Sequence, residues 1–163
     1  MGPTGATGAT GPAIALAYGS YTNDGTTEVV AHLAAVSFPT TFTQNGVIKS
    51  GPNTTFTVPS TGDYFVSAGV AGYWNAGAPG TGAFSVFLNG VAQTNLTFEV
   101  PQAPSIIGPF QLHTIDSIIH LNAGDQLQLV NFTDTLTGST PFTLVESIGL
   151  STTAFIVIER IGP

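Results

Sequence analysis

The sequence predicts an all-β domain of sandwich or barrel type, and three observations carry that expectation. Beyond residue 13 the 163-residue chain runs in short segments rich in β-branched and aromatic residues, separated by Gly, Pro, Asn and Asp, the spacing of strands and turns. No long stretch repeats at helical spacing. Hydrophobic residues make up 42% and charged residues 7%, a balance that buries a core instead of leaving the chain disordered. The length suits one domain.

The elements follow in order. Val29, Leu33 and Val36 could share a helical face over Glu28–Val36, but nine residues beside Pro39 allow at most a short helix. Phe56–Val58 leads through Pro59-Ser60-Thr61-Gly62-Asp63, a turn by composition, into Tyr64–Val70, where Tyr64, Val66, Ala68 and Val70 alternate with Phe65, Ser67 and Gly69. Ala83–Leu88 sets Phe84, Val86 and Leu88 on one side and reaches Asn89-Gly90, the dipeptide that most readily supplies two positive φ angles to a tight hairpin. Val91 onward should return antiparallel. Ile115–Leu121 is expected to pair with Gln126–Phe132 across Asn122-Ala123-Gly124-Asp125. Ala154–Ile158 is apolar on both faces, as a central strand is when one side meets the sandwich core and the other is covered by another subunit. Phe155, Ile156, Val157 and Ile158 are therefore candidate residues of a subunit interface.

Residues 1–13 differ from the domain at 14–163. Gly2, Gly5, Gly8 and Gly11 recur at every third position, with Pro3 and Pro12 after two of them. A strict glycine period is the register of a collagen-like triple helix, in which only glycine fits the crowded axis, so it implies three parallel chains. Four triplets are too short to hold such a helix alone. They read as the end of a longer stalk, with Met1 a truncation point and the downstream domain keeping the chains together. Thr4, Thr7 and Thr10 occupy the outward Y positions.

A collagen-like segment entering an all-β domain resembles the C1q and tumour-necrosis-factor-like jelly-roll class. Phe56-Thr57-Val58-Pro59-Ser60-Thr61-Gly62-Asp63-Tyr64-Phe65 is similar to that superfamily's strand, glycine turn and Tyr-containing strand. Leu121-Asn122-Ala123-Gly124-Asp125-Gln126-Leu127-Gln128-Leu129 resembles its Leu-x-Ala-Gly-Asp turn and following strand. Thr153-Ala154-Phe155-Ile156-Val157-Ile158-Glu159-Arg160-Ile161 and Ser85-Val86-Phe87-Leu88-Asn89-Gly90-Val91 resemble elements of a bacterial branch, the BclA-like collagen-domain glycoproteins of Bacillus spores. The resemblance runs over residues 2–163. It implies a two-sheet jelly roll, a homotrimer on a collagen-like stalk, O-linked sugars on threonines such as Thr4, Thr7 and Thr10, and a place at the tip of spore-surface (exosporium) filaments beside a filament or basal-layer protein. The stalk here is a stub, and the N-terminal segment that anchors such proteins is not present in this sequence.

The inventory for catalysis is thin: three histidines, nine carboxylates, Lys49, Arg160 and no cysteine. No Gly-x-Ser-x-Gly, His-Glu-x-x-His or phosphate-loop motif occurs, and no catalytic, cofactor or metal residue is assigned; the chain reads as a non-enzyme. If 113–120 is extended, His120 and Asp116 share a face and His113 takes the other; this set serves either as an ordinary hydrogen-bonded pair or as an axial metal site in a trimer. Asp125 reads either as shaping its turn by bonding its own backbone or, as the resemblance implies from C1q-like trimers that hold calcium near their apex, as a calcium ligand, for which no Asp-rich loop supplies the further oxygens. Tyr73-Trp74 reads either as strand-end packing or as an exposed platform for a sugar or host receptor. Asn53, Asn95 and Asn131 begin N-glycosylation sequons that a Thr-rich chain produces by chance.

A net charge of −7 with two basic side chains leaves no surface to neutralise phosphates or anionic headgroups, which excludes nucleic acid and electrostatic membrane binding. No run approaches the length of a membrane span. Two roles remain: a structural cap that trimerises a filament, or a binding module (adhesin or phage-fibre tip) whose three equivalent sites gain by avidity.

Overall fold

The computed structural model describes Gly2 and residues 16–25, 27–74, 81–101, 111–132, 141–145 and 151–163. Thr4, Thr7 and Thr10 lie outside them. The strands are β1 (Tyr18–Asp24), β2 (Glu28–Val30), β3 (Thr40–Asn45), β4 (Ile48–Lys49), β5 (Phe56–Thr57), β6 (Gly62–Trp74), β7 (Thr81–Leu88), β8 (Val91–Pro101), β9 (Leu112–Leu121), β10 (Gln126–Asn131), β11 (Phe142–Leu144) and β12 (Thr152–Arg160). One sheet runs β2-β11-β6-β12-β1-β3 with β9 on the other edge of β6; the second runs β4-β5-β10-β7-β8. Every pairing is antiparallel. The chain is a two-sheet β-sandwich.

Alternation places the core between the sheets, since successive strand residues face opposite ways. Tyr64, Val66, Ala68 and Val70 of β6 and Ala154, Ile156 and Ile158 of β12 are buried against Phe84, Val86, Leu127 and Leu129 of the facing sheet. Two aromatic groups contribute to this core. Tyr21 and Phe56 lie 4.5 Å apart with Phe38 beside them, and Trp74 and Phe84 flank Phe142 at 4.8 and 5.0 Å.

The Asn89-Gly90 hairpin forms as expected: φ is 50° and 83° at the two residues, and Leu88 pairs with Val91. β12 is central, between β6 and β1. Other expectations are corrected. No helix forms over Glu28–Val36. Val29 and Val30 enter β2, Leu33 turns the chain at φ 59°, and Val36 N–H then donates to Leu129 O on the second sheet. Glu28 pins this crossing by accepting from Asn23 Nδ2 at 2.6 Å and Ser37 N–H at 3.2 Å, and burial pushes its carboxyl up.

The expected hairpin of Ile115–Leu121 with Gln126–Phe132 is also absent. β9 pairs with β6 from Leu121↔Gly62 to Leu112↔Ala71, while β10 pairs with β5 and β7. The Asn122–Asp125 turn therefore passes from one sheet to the other. Its anchor is the backbone pair Gly124 N–H to Val58 O (2.9 Å) and Val58 N–H to Asp125 O (3.0 Å).

Candidate interaction face

The side of the seven-stranded sheet that faces away from the core is built by register. Directly opposed residues of antiparallel strands share a face, so Ile118, Phe65, Glu159 and Tyr18 form one row across β9, β6, β12 and β1. Asp116, Ser67, Val157 and Ser20 form the next, and Thr114, Gly69, Phe155 and Thr22 the third. Phe65, Tyr18, Phe155 and Val157 are half-buried, and Ile118 is 59% exposed. The result is an apolar strip through the middle of a hydroxyl-rich, weakly acidic surface.

Gly69 shapes this strip. A Cβ there would stand 2.6 Å from Phe155 Cε1 and 2.9 Å from His113 O. Only glycine lets the Phe155 ring lie down across β6. Of the four candidate interface residues on β12, Phe155 and Val157 belong to this face. Ile156 and Ile158 are corrected: they point into the chain's own core with no exposed area, as the period of two requires once Phe155 and Val157 face outward.

The histidines divide as the extended reading predicts, but with a different partner. His120 and Asp116 share the outer face, and His113, opposite Val70, takes the inner one, where burial lowers its pKa. His120 Nδ1 meets Asp63 Oδ1 at 2.8 Å across β9 and β6, not Asp116. Among the described residues no group of three or more metal-ligating side chains comes together. Lys49 is used internally, donating to Phe38 O and Pro39 O at 2.9 and 3.0 Å and lying over the Tyr21 ring.

The Tyr73-Trp74 platform is corrected for its tryptophan. Trp74 is 2% exposed, packs on Phe84 and Phe142, and donates Nε1–H to Val100 O at 2.7 Å. Only half-buried Tyr73 faces outward, in the row of Thr143 and Val29. Asn131, the third sequon asparagine, is buried with its amide donated to Val30 O, which closes it to an oligosaccharide.

No family model matches this chain, and no curated protein matches it. The face must therefore be read from its own chemistry. Phe65, Tyr18 and Ile118 were the residues sequence reasoning missed. The signal was present for Phe65, which alternates with the core residues of β6, but which β6 neighbours lie beside it depends on pairings that periodicity does not contain. Such a face offers apolar contact and hydroxyl hydrogen bonds to a partner.

Proposed function

We propose that this domain is a self-assembling structural module: three copies join through the outer face of the seven-stranded sheet and cap a collagen-like filament. The observation that carries the reading is the outer face of β12, where a central strand turns Phe155 and Val157 away from the core instead of polar residues. A lone domain normally hydrates that side, so an apolar strip at the centre of a sheet marks a surface meant to be covered. The glycine triplets at Gly2, Gly5, Gly8 and Gly11 support three as the number of chains.

The sheet order supports the jelly-roll reading. With β2, β3, β4 and β11 set aside, the order β9-β6-β12-β1 in one sheet and β5-β10-β7-β8 in the other is consistent with the two Greek keys of a jelly roll. The resemblance to BclA-like proteins supports a spore-surface location, with Thr4, Thr7 and Thr10 as sites of O-linked sugar. The alternative of a glycan- or receptor-binding module is weakened by burial of Trp74, which takes the indole out of any surface platform.

Sedimentation or light scattering tests the assembly. The expected mass is about three times 16.7 kDa at micromolar concentration, falling to the single-chain mass in Val157→Lys. A wild-type monomer overturns the reading.

A further inference from the structure

Two steps in the chain join asparagine to glycine, Asn45-Gly46 and Asn89-Gly90. This is the sequence at which main-chain attack on the side chain is least hindered, because glycine carries no Cβ, and asparagine is among the residues that limit the lifetime of proteins. Both asparagines are exposed, so exposure does not separate them. Their hydrogen bonds do. Asn89 is held at two points, Nδ2 donating to Asp125 Oδ1 at 2.8 Å and Oδ1 accepting from Gln126 N–H at 2.9 Å. Among the described residues Asn45, the last residue of edge strand β3, has one side-chain bond, from Nδ2 to Leu16 O at 3.1 Å.

We propose that Asn45 is a site of spontaneous deamidation, and that the reaction undoes the tie between β3 and the chain where it enters the domain at Leu16. The Gly46 main-chain nitrogen attacks Asn45 Cγ and forms a C–N bond. The Cγ–Nδ2 bond breaks, and ammonia leaves with the proton from Gly46. Water then opens the five-membered imide at either carbonyl, giving aspartate or isoaspartate. Both products lose the Nδ2–H donor to Leu16 O: aspartate sets a carboxylate oxygen against that carbonyl, and isoaspartate routes the main chain through Cγ, adding a methylene at the end of β3 and leaving its free carboxylate on Cα. Asn89 resists because the two bonds to Asp125 and Gln126 hold its amide plane and must break before Cγ can turn toward the Gly90 nitrogen.

The seam lies between the glycine triplets and the sandwich, so the change acts on the connection of the domain to what precedes it. It holds for a single chain and for an assembly alike. The test is to age the full chain at mildly alkaline pH and physiological temperature, then map peptides by mass and label isoaspartate with an isoaspartyl methyltransferase. Asn45 is expected to convert at least about tenfold faster than Asn89; equal rates, or faster conversion at Asn89, overturn the proposal. Asn45→Gln, which keeps the donor, should abolish labelling of this peptide, and persisting label would place the reaction elsewhere. Asn45→Asp should be cleaved faster than wild type by a protease of broad apolar specificity at Leu16–Ala17; unchanged cleavage would sink the claim about the seam.

Discussion

The side-chain amide of Asn89 donates to a carboxylate oxygen of Asp125 at 2.8 Å, which ties the tip of the β7–β8 hairpin to the turn that carries the chain from one sheet to the other. Asp125 uses its second oxygen on Asn122 N–H at 2.7 Å, and Asn89 returns an acceptor to Gln126 N–H at 2.9 Å. Two loops far apart in sequence are thus one hydrogen-bonded unit. Asn89 also sits at φ 50°, where asparagine is tolerated better than other side chains.

Asn89→Ala should therefore cost about 1–2 kcal/mol, from the left-handed penalty and the lost bonds together. Asp125 gives this unit a pH dependence. Its carboxyl is held below the usual range, first by the Asn122 N–H and then by the Asn89 amide. A carboxylate depressed in the folded state adds stability above its unfolded value and loses it as pH falls through the folded one. Asp125→Asn should flatten the acid limb of a stability-against-pH curve measured by urea unfolding. An unchanged acid limb would show that the turn does not depend on charge.

Tyr21 produces the opposite limb. Its ring lies wholly in the core on Phe56, its hydroxyl donates toward Val47 O at 3.3 Å, and burial pushes the phenol up to about 12 from 10.0. An acid whose folded value is raised contributes stability that is complete below the unfolded value and lost as pH climbs to the folded one. The chain should lose about 2 kcal/mol between roughly pH 10 and 12. Ultraviolet titration should find a tyrosine ionising together with unfolding, well above pH 10, and Tyr21→Phe should remove that signal and that part of the alkaline loss.

These residues also show what was legible in the sequence. The Asn89-Gly90 turn was, because two positive φ angles select a particular dipeptide; so was the central strand at Ala154–Ile158, because apolar side chains on both faces fit few other positions. The turn at Asn122–Asp125 was found but its partners were not. Alternation tells which residues share a face and leaves open whether the next strand stays in the sheet, and here β9 pairs along β6 before the chain crosses over. Tyr18–Asp24 and Thr40–Asn45 were missed as strands because their hydroxyl and amide side chains give no apolar period. On the candidate face, the sequence points to Phe155, Ile156, Val157 and Ile158 alike, because a strand apolar on both sides does not announce which side is the core.

Gly69 tests the face. The ring of Phe155 occupies the space a Cβ would need, and His113 O limits escape on the β9 side. Gly69→Ala should raise Phe155 off the sheet and cost about 1–3 kcal/mol, the range for overfilling a packed site. If three copies meet through this strip, the same change should lower the assembly mass at a given concentration more than it lowers the unfolding temperature of the single chain. Retention of the full mass by a folded Gly69→Ala would place the contact away from Phe155.

Trp74 is the only tryptophan and reports directly on whether the Tyr73-Trp74 pair faces solvent. It packs on Phe142 and Phe84, its N–H is bonded to Val100 O, and Gly82 lies under the ring where any Cβ would collide with it. Its fluorescence should be blue-shifted and poorly quenched by iodide, and binding of a sugar to the outer face should leave it unchanged. Trp74→Phe keeps most of the apolar volume but leaves Val100 O without its donor, so about 1–3 kcal/mol of stability should be lost. Gly82→Ala should displace the indole at comparable cost and shift emission to the red. Red, readily quenched emission from the wild-type chain would overturn the burial and restore the aromatic pair as a surface platform.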